Sequence, residues 1–317
     1  MSFNKVATIG DLHLSMGTAT REKPIIQTIE KMRFISDYCI KTQVDTALLL
    51  GDFWDNINQY IPATYLLALA EILNKFKRVY FILGNHDFHK ALGLLWTDEP
   101  IALLMKMVPN MILLDETKIG KYTLLGRNWK KDYDKNVAEE FECPEGMDPA
   151  TTIMALHAYL LPKSENVMMK FNQLEDIENP VHAYLVGHYH KNMGWVQTEK
   201  TSALIPGSLT RIKSSEWHSP TFYILDMDSD DIRATSKAVQ VPAIDGNIVF
   251  KDLSDKKQIQ FINNDIKDFV KTFDKNISIM TREDFFSAFA EIASIDFPEE
   301  FAKINHYTNH ILDLNEI

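Results

Sequence analysis

The stretch "RVYFILGNHDFH", residues 78–89, decides the reading of this chain. A strand-like apolar run stops at Gly84 and is followed at once by an amide, an imidazole and a carboxylate. The same pattern occurs twice upstream, in "KVATIGDLHL" (5–14) and "VDTALLLGDFWD" (44–55). Between the three lie "KPIIQTIEKMRFISDYCIKT" (23–42), with apolar residues at helical spacing, and "YIPATYLLALAEILNKF" (60–76), with Pro62 placed early where a helix tolerates it. Strand, helix, strand, helix, strand in the first 84 residues predicts an α/β fold built on a largely parallel sheet. In such sheets the functional loops leave the carboxyl ends of the strands.

From about residue 111 the rhythm changes to short strand-like runs: "MILLDE", "KYTLLGR", "TTIMALHAYL", "VHAYLVGHYH", "GWVQTE", "SALIPGSL" and "TFYILDMD". A strand-rich second half predicts a second sheet packed on the first. The polar segments around 130–145 and 163–178 are expected to hold a helix or a loop. Beyond residue 250 the pattern becomes that of three amphipathic helices, with Thr281 placed as an N-cap. The expected division is therefore a main domain over 1–250 and a helical cap or partner-docking region over 251–317.

Composition narrows the class. The 317 residues are 45% hydrophobic and 24% charged, as in ordinary globular proteins. No apolar stretch approaches the roughly 20 residues that span a bilayer, and the opening residues lack the layout of a signal peptide. The two cysteines, Cys39 and Cys143, offer neither a disulfide framework nor a thiolate zinc site. A cytoplasmic protein without membrane association is the expectation. The net charge of −11 argues against broad electrostatic wrapping of nucleic acid, though not against a local basic track or a site where metal supplies the positive charge.

Five strand ends carry metal-type side chains. They offer Asp11 and His13; Asp52 and Asp55; Asn85, His86 and Asp87; His157; and His188 with His190. A glycine–aspartate pair at one strand end is ordinary turn chemistry, but five of the ten histidines at such positions are not. Oxygen and imidazole donors without thiolate suit Mn²⁺, Fe²⁺ or Zn²⁺. The donors exceed the needs of one tetrahedral ion, which points to two divalent ions with one bridging carboxylate. Paired ions roughly 3.5–4 Å apart serve phosphoryl chemistry. A structural site would instead use a closed set of four ligands. His188 and His190, two apart on an extended backbone, would share a face.

The ordered series Asp-x-His (11, 13), Gly-Asp (51, 52), Gly-Asn-His-Asp (84–87), His157 and Gly-His-x-His (187–190) resembles the calcineurin-like metallophosphoesterases. The resemblance implies a four-layer αββα double β-sandwich. It implies that Asp11, His13, Asp52 and His190 hold one ion and that Asp52, Asn85, His157 and His188 hold the other. His86 would contact the scissile phosphate and assist the leaving oxygen, with Asp87 orienting its ring. The two histidines of "GHYH" would then serve different metals.

Within that superfamily, "SALIPGSLTRI" (202–212) followed by "SPTFYILDMD" resembles the SbcD-type recombination nucleases, including those of large phages. That resemblance implies a Mn²⁺-dependent DNA exonuclease or endonuclease acting on ends, hairpins or single-stranded regions in recombination and repair. It further implies an SbcC-type ABC ATPase as partner and a homodimer. Two departures stand out. Asp55 occupies a position where many SbcD-type proteins carry a histidine, and the region beyond 250 is short for both a cap and a partner-binding tail. Candidate substrate contacts are Asp55, Arg127, Asn192 and Arg211, with Lys90, Lys130, Lys131 and Lys213 in neighbouring loops. The alternative is a small-molecule or nucleotide phosphodiesterase with the same metal site. A scaffold that has lost turnover would lack ligands or the histidine of the Gly-Asn-His motif, and none is missing.

Overall fold

The structure is a computed structural model. It describes residues 4–243 apart from 19–20, 23, 57–59, 88–99, 135–136, 166–170 and 212–219, all within the unit Met1–Lys251. The expected helical region 251–317 lies outside the described residues, as do His89, Lys90 and Lys213.

Twelve strands make two large sheets. In chain order they are β1 (Lys5–Ile9), β2 (Thr46–Leu49), β3 (Arg78–Phe81), β4 (Met111–Leu113), β5 (Glu116–Ile119), β6 (Tyr122–Arg127), β7 (Thr152–His157), β8 (Ala183–Gly187), β9 (Gly194–Gln197), β10 (Ser202–Ile205), β11 (Thr221–Asp226) and β12 (Lys237–Gln240). The first sheet runs β12-β11-β1-β2-β3-β4, and the second runs β9-β10-β8-β7-β6-β5. The first has antiparallel strands on one side of a parallel run that reaches the other edge, and the second has an antiparallel strand at each edge of its parallel run. β1 to β4 pair parallel in the first sheet, and β6, β7, β8 and β10 do so in the second. The expected α/β double sandwich is the fold observed.

Three apolar clusters account for the layering. Helices α1 (Pro24–Lys41), α2 (Ala63–Leu73) and α3 (Pro100–Met107) set Met32, Ile35, Leu69 and Leu104 against Ala7, Ile9, Leu49 and Phe81 on the outer face of the first sheet. Between the sheets, Val6, Leu48 and Leu50 meet Leu124, Ile153, Ala155 and Leu185. On the far face of the second sheet, Leu125, Met154, Leu156, Tyr184 and Val186 pack beneath short 3₁₀ turns that contribute Tyr133, Phe141 and Leu174. Among the described residues, the polar segment at 130–145 thus forms 3₁₀ turns, and that at 163–178 a two-residue strand at Asn172–Gln173 followed by one such turn. The parallel central strands are buried on both faces, which is why they read as continuous apolar runs rather than alternating ones.

Candidate metal centre

The carboxyl ends of β1, β2, β3, β7 and β8 meet along one edge, as open α/β sheets place their functional loops. Strand alternation sets the direction of the side chains. Ile153 and Ala155 of β7 face the inter-sheet core, so His157, at the same parity, points between the sheets. Past the other strands the chain turns sharply. His13, Asp52 and His188 all have positive φ, at 46°, 47° and 84°. Such backbone in non-glycine residues costs on the order of 1–3 kcal/mol each and persists where the surroundings enforce it, commonly at functional sites. The surroundings here are specific. Leu12 and His13 donate their N–H groups to the Asp52 carbonyl, at 3.1 and 2.9 Å, and Leu14 donates to the Phe53 carbonyl at 2.8 Å. Gly51, with φ of 91°, must be glycine for a second reason: a Cβ there would sit 2.6 Å from His157 Nδ1.

Two triads result, Asp11 with His13 and His190, and Asp52 with His157 and His188. Within each, one donor atom per residue lies within 4.8 Å of the others. Asp52 joins the triads. Its Oδ2 lies 3.3 Å from His157 Nε2 and 3.9 Å from His13 Nε2, while its Oδ1 accepts the His86 main-chain N–H at 2.8 Å. His13 and His190 bring their Nε2 atoms to 3.1 Å of each other. Asn85 Oδ1 lies 3.2 Å from His157 Nε2, so the seventh expected ligand stands beside the second triad.

Electrostatics show that these residues fit divalent metal. Asp11 and Asp52 are about 1% exposed and among the described residues form no ion pair with Lys or Arg. Asp52 Oδ2 accepts no hydrogen bond of acceptable geometry. Buried charge of this kind is normally compensated by paired charge or by metal. Burial pushes His13 down to about 3, reinforced by His190, His86 and His157, which leaves it as the neutral imidazole, the form that can ligate metal. Burial and His157 likewise hold His188 well below its ordinary value. His157 behaves oppositely: burial works against its charge, but Asp52 and Asp11 carry it up to about 9. Its Nδ1 donates to the Leu50 carbonyl at 2.7 Å, which leaves Nε2 to face the site. Burial raises Asp11 to about 6 against the pull of His157. Burial would raise Asp52 too, yet His157, His13 and His86 bring it below the carboxylate range.

The remaining candidates separate by position. His86 is half-buried, with its ring 5.5 Å from that of His13, at the open side of the site. Asp87 is fully buried and both its oxygens are occupied: Oδ1 accepts from Phe53 N and Oδ2 from Gly84 N, each at 2.7 Å. It therefore braces two ligand loops against each other, its carboxylate bonded to those amides rather than to the His86 ring. Burial and the Asp52 charge push it up to about 8 despite the two donors. Asp55 is half-buried and its N–H continues the loop ladder to the Leu14 carbonyl at 3.0 Å. Asn192 closes a turn, its Oδ1 accepting from Tyr223 Oη at 3.0 Å and Gly194 N at 2.9 Å. Arg127 shares parity with Leu125 and lines a cavity with Tyr133 and Cys143, on the face of the second sheet opposite His157. Arg211 is half-buried at the end of the loop that follows β10.

Two contributors escape a reading of residue types. Tyr159 packs its ring 4.1 Å from that of His188. Asn128 fixes the start of the 84–87 loop by accepting the Leu83 N–H at 2.8 Å. The first has a faint signal, an aromatic two residues after a ligand; the second has none.

The sequence matches the family model of the calcineurin-like phosphoesterases over residues 4–192, more than half the chain. This chain belongs to the calcineurin-like phosphoesterases. It is a metal-dependent phosphoesterase by family and by donor set. Among solved structures, the phosphoesterase is similar to a dimetal phosphatase from Danio rerio, at 11% identity, covering 75% of this chain and 99% of that one, with a TM-score of 0.46. It is similar to an archaeal phosphodiesterase at 11% identity, over 75% of this chain and 99% of that one, with a TM-score of 0.41. Vps29 from Chaetomium thermophilum aligns at 12% identity over 71% and 85%, with a TM-score of 0.34. No curated protein matches the sequence. No helix among the described residues is long and apolar enough to cross a membrane.

Proposed function

We propose that this phosphoesterase is a Mn²⁺-dependent DNA nuclease of the SbcD type, hydrolysing phosphodiesters in the cytoplasm during recombination, repair or phage DNA metabolism, with an SbcC-type ATPase as partner. The observation that carries phosphodiester hydrolysis is Asp52 Oδ2, buried, without a hydrogen bond, and within 4 Å of a histidine from each triad. One carboxylate shared by two ligand sets is the arrangement of a dinuclear hydrolytic site. DNA as the substrate is supported by the "PGSLTR" segment, residues 206–211. His86 and His190 are also partly exposed at the sheet edge, where a polymer can reach them.

Asp11, His13 and His190 would hold one ion, Asn85, His157 and His188 the other, with Asp52 between. When bound, the pair supplies a hydroxide nucleophile near neutral pH and neutralises charge on the phosphate oxygens. The chain's own residues do the rest. Leu50 fixes the His157 tautomer, and Asp87 locks the 51–53 loop to Gly84. His86 is anchored through its main chain to Asp52, which leaves its ring to place a proton on the departing oxygen.

A small-molecule or nucleotide phosphodiesterase is the second reading, favoured by the net charge of −11 and by Asp55, a carboxylate where a phosphate contact would want positive charge. The test incubates the full chain with end-labelled duplex DNA in Mn²⁺, beside a metal-free control and bis-p-nitrophenyl phosphate. Metal-dependent loss of DNA ends supports the nuclease. Cleavage of the small diester with DNA intact, even after addition of an SbcC-type ATPase, favours the second reading.

A further inference from the structure

Helix α1 buries a lysine. Lys31 is 6% exposed, on a face otherwise made of Ile25, Thr28, Met32, Ile35 and Cys39. Desolvating an ammonium is expensive, so a buried lysine needs compensating partners. Its Nζ donates to the Leu209 carbonyl at 2.7 Å. One turn earlier on the same face, Thr28 Oγ1 lies 2.6 Å from Thr210 Oγ1. Two side chains of α1 thus hold adjacent residues of the loop that follows β10.

That loop in turn holds the first triad. Leu209 donates its N–H to the Asp11 carbonyl at 2.7 Å, and Ser208 donates to the His190 carbonyl at 3.0 Å. Both acceptors are ligands of the same candidate site. Contact is close enough that a Cβ on Gly10 would run into the Gly207 carbonyl oxygen. By contrast, the second triad is braced from elsewhere, by Leu50 behind His157 and by the His86 amide on Asp52.

We propose that Lys31 and Thr28 are positioning residues that set the affinity of the metal site made by Asp11, His13 and His190, acting through Leu209, Ser208 and Thr210. The inference rests on the two-metal reading of the site. Residues that orient ligands from behind commonly change metal affinity by about 10–100-fold when removed. Removing the ammonium takes its hydrogen bond from the Leu209 carbonyl and lets the loop shift, so Asp11 and His190 lose backbone support, while the Leu50 contact behind His157 and the His86 amide on Asp52 stay in place.

The experiment measures Mn²⁺ binding to the full chain by titration, read as affinity and stoichiometry, with the melting temperature of the metal-free protein alongside. The wild type should bind two ions. Lys31→Met should weaken one site by about 10–100-fold and leave the other nearly unchanged. Adding His190→Ala to that variant should abolish the weakened site and leave the tight one, whereas adding His188→Ala should abolish the tight site and leave the weakened one. Thr210→Val, which deletes one hydroxyl and keeps the shape, should weaken the same site more mildly and decides the matter if Lys31→Met fails to fold. Unchanged affinities, or equal weakening of both sites together with a lower metal-free melting temperature, would overturn the proposal. A wild type that binds fewer than two ions would overturn the two-metal reading and this inference with it.

Discussion

His188 donates its main-chain N–H to both oxygens of the Asp11 carboxylate, at 3.1 Å each. Asp11 belongs to one ligand triad and His188 to the other. The carboxylate that serves the first site is therefore oriented by the backbone of the second. With Asp52 between the triads, the two sites are built as one unit.

Asp11→Asn should therefore disturb both sites, because the amide removes charge from the first and can turn a donor toward the His188 N–H. His190→Ala should disturb only the first. Metal content after gel filtration checks this: a fall at both sites is expected for Asp11→Asn, and a fall of one ion for His190→Ala. Equal losses in the two variants would contradict the coupling.

Metal removal should lower stability. Asp11 and Asp52 are buried without Lys or Arg among the described residues, so metal in excess stabilises the folded chain by mass action. At a hundredfold excess over Kd that is about 2.7 kcal/mol, or roughly 5–10 °C in melting temperature for a domain of this size. A chelator scan that leaves the transition unmoved would count against metal at this centre.

Sequence legibility followed chemistry that side chains alone carry. β1, β2 and β3 were readable because strands buried on both faces are continuous apolar runs, each closed by a turn residue. The candidate ligands were readable because only a few residue types bind metal. What the sequence concealed depends on the backbone. Asp87 looked like a partner for the His86 ring, but its oxygens are taken by two main-chain amides, and any residue type supplies those. Asn192 looked like a substrate contact and closes a turn onto Tyr223, 31 positions away. Arg127 ends β6, and the two-residue period of that strand places it with Leu125, on the other side of the sheet from His157. Lys31 is buried on the apolar face of α1, and its partner Leu209 leaves no trace in the sequence pattern.

The core should respond as a packed interior. Leu69 of α2 is fully buried against the first sheet. Leu69→Ala should cost about 2–5 kcal/mol by lost burial and residual cavity, measured by denaturant unfolding of the metal-loaded protein. A loss below about 1 kcal/mol would mean that α2 is poorly packed there.

Cys39 gives a pH dependence distant from the metals. Burial pushes its thiol up to about 12 from an ordinary 9.0. A raised pKa means the folded chain keeps the proton that the unfolded chain releases. The associated stability is complete below about pH 9 and is lost as pH rises toward about 12. Cys39→Ala should therefore flatten the fall in unfolding free energy between pH 8 and pH 10.5 by about 2 kcal/mol, and native Cys39 should resist alkylation at pH 8. Rapid alkylation, or an unchanged slope, would contradict this environment.

The most direct test of the central claim is the rate of Mn²⁺-dependent hydrolysis of a dinucleotide phosphodiester, whose alkoxide leaving group needs a proton, by the wild type and by His86→Ala, with bound metal counted in both. The account predicts two ions in each protein and a rate lower by about 10²–10⁴-fold in the variant, the range expected for loss of a proton donor. Equal rates with both ions in place would contradict the assignment of His86 and the mechanism built on it.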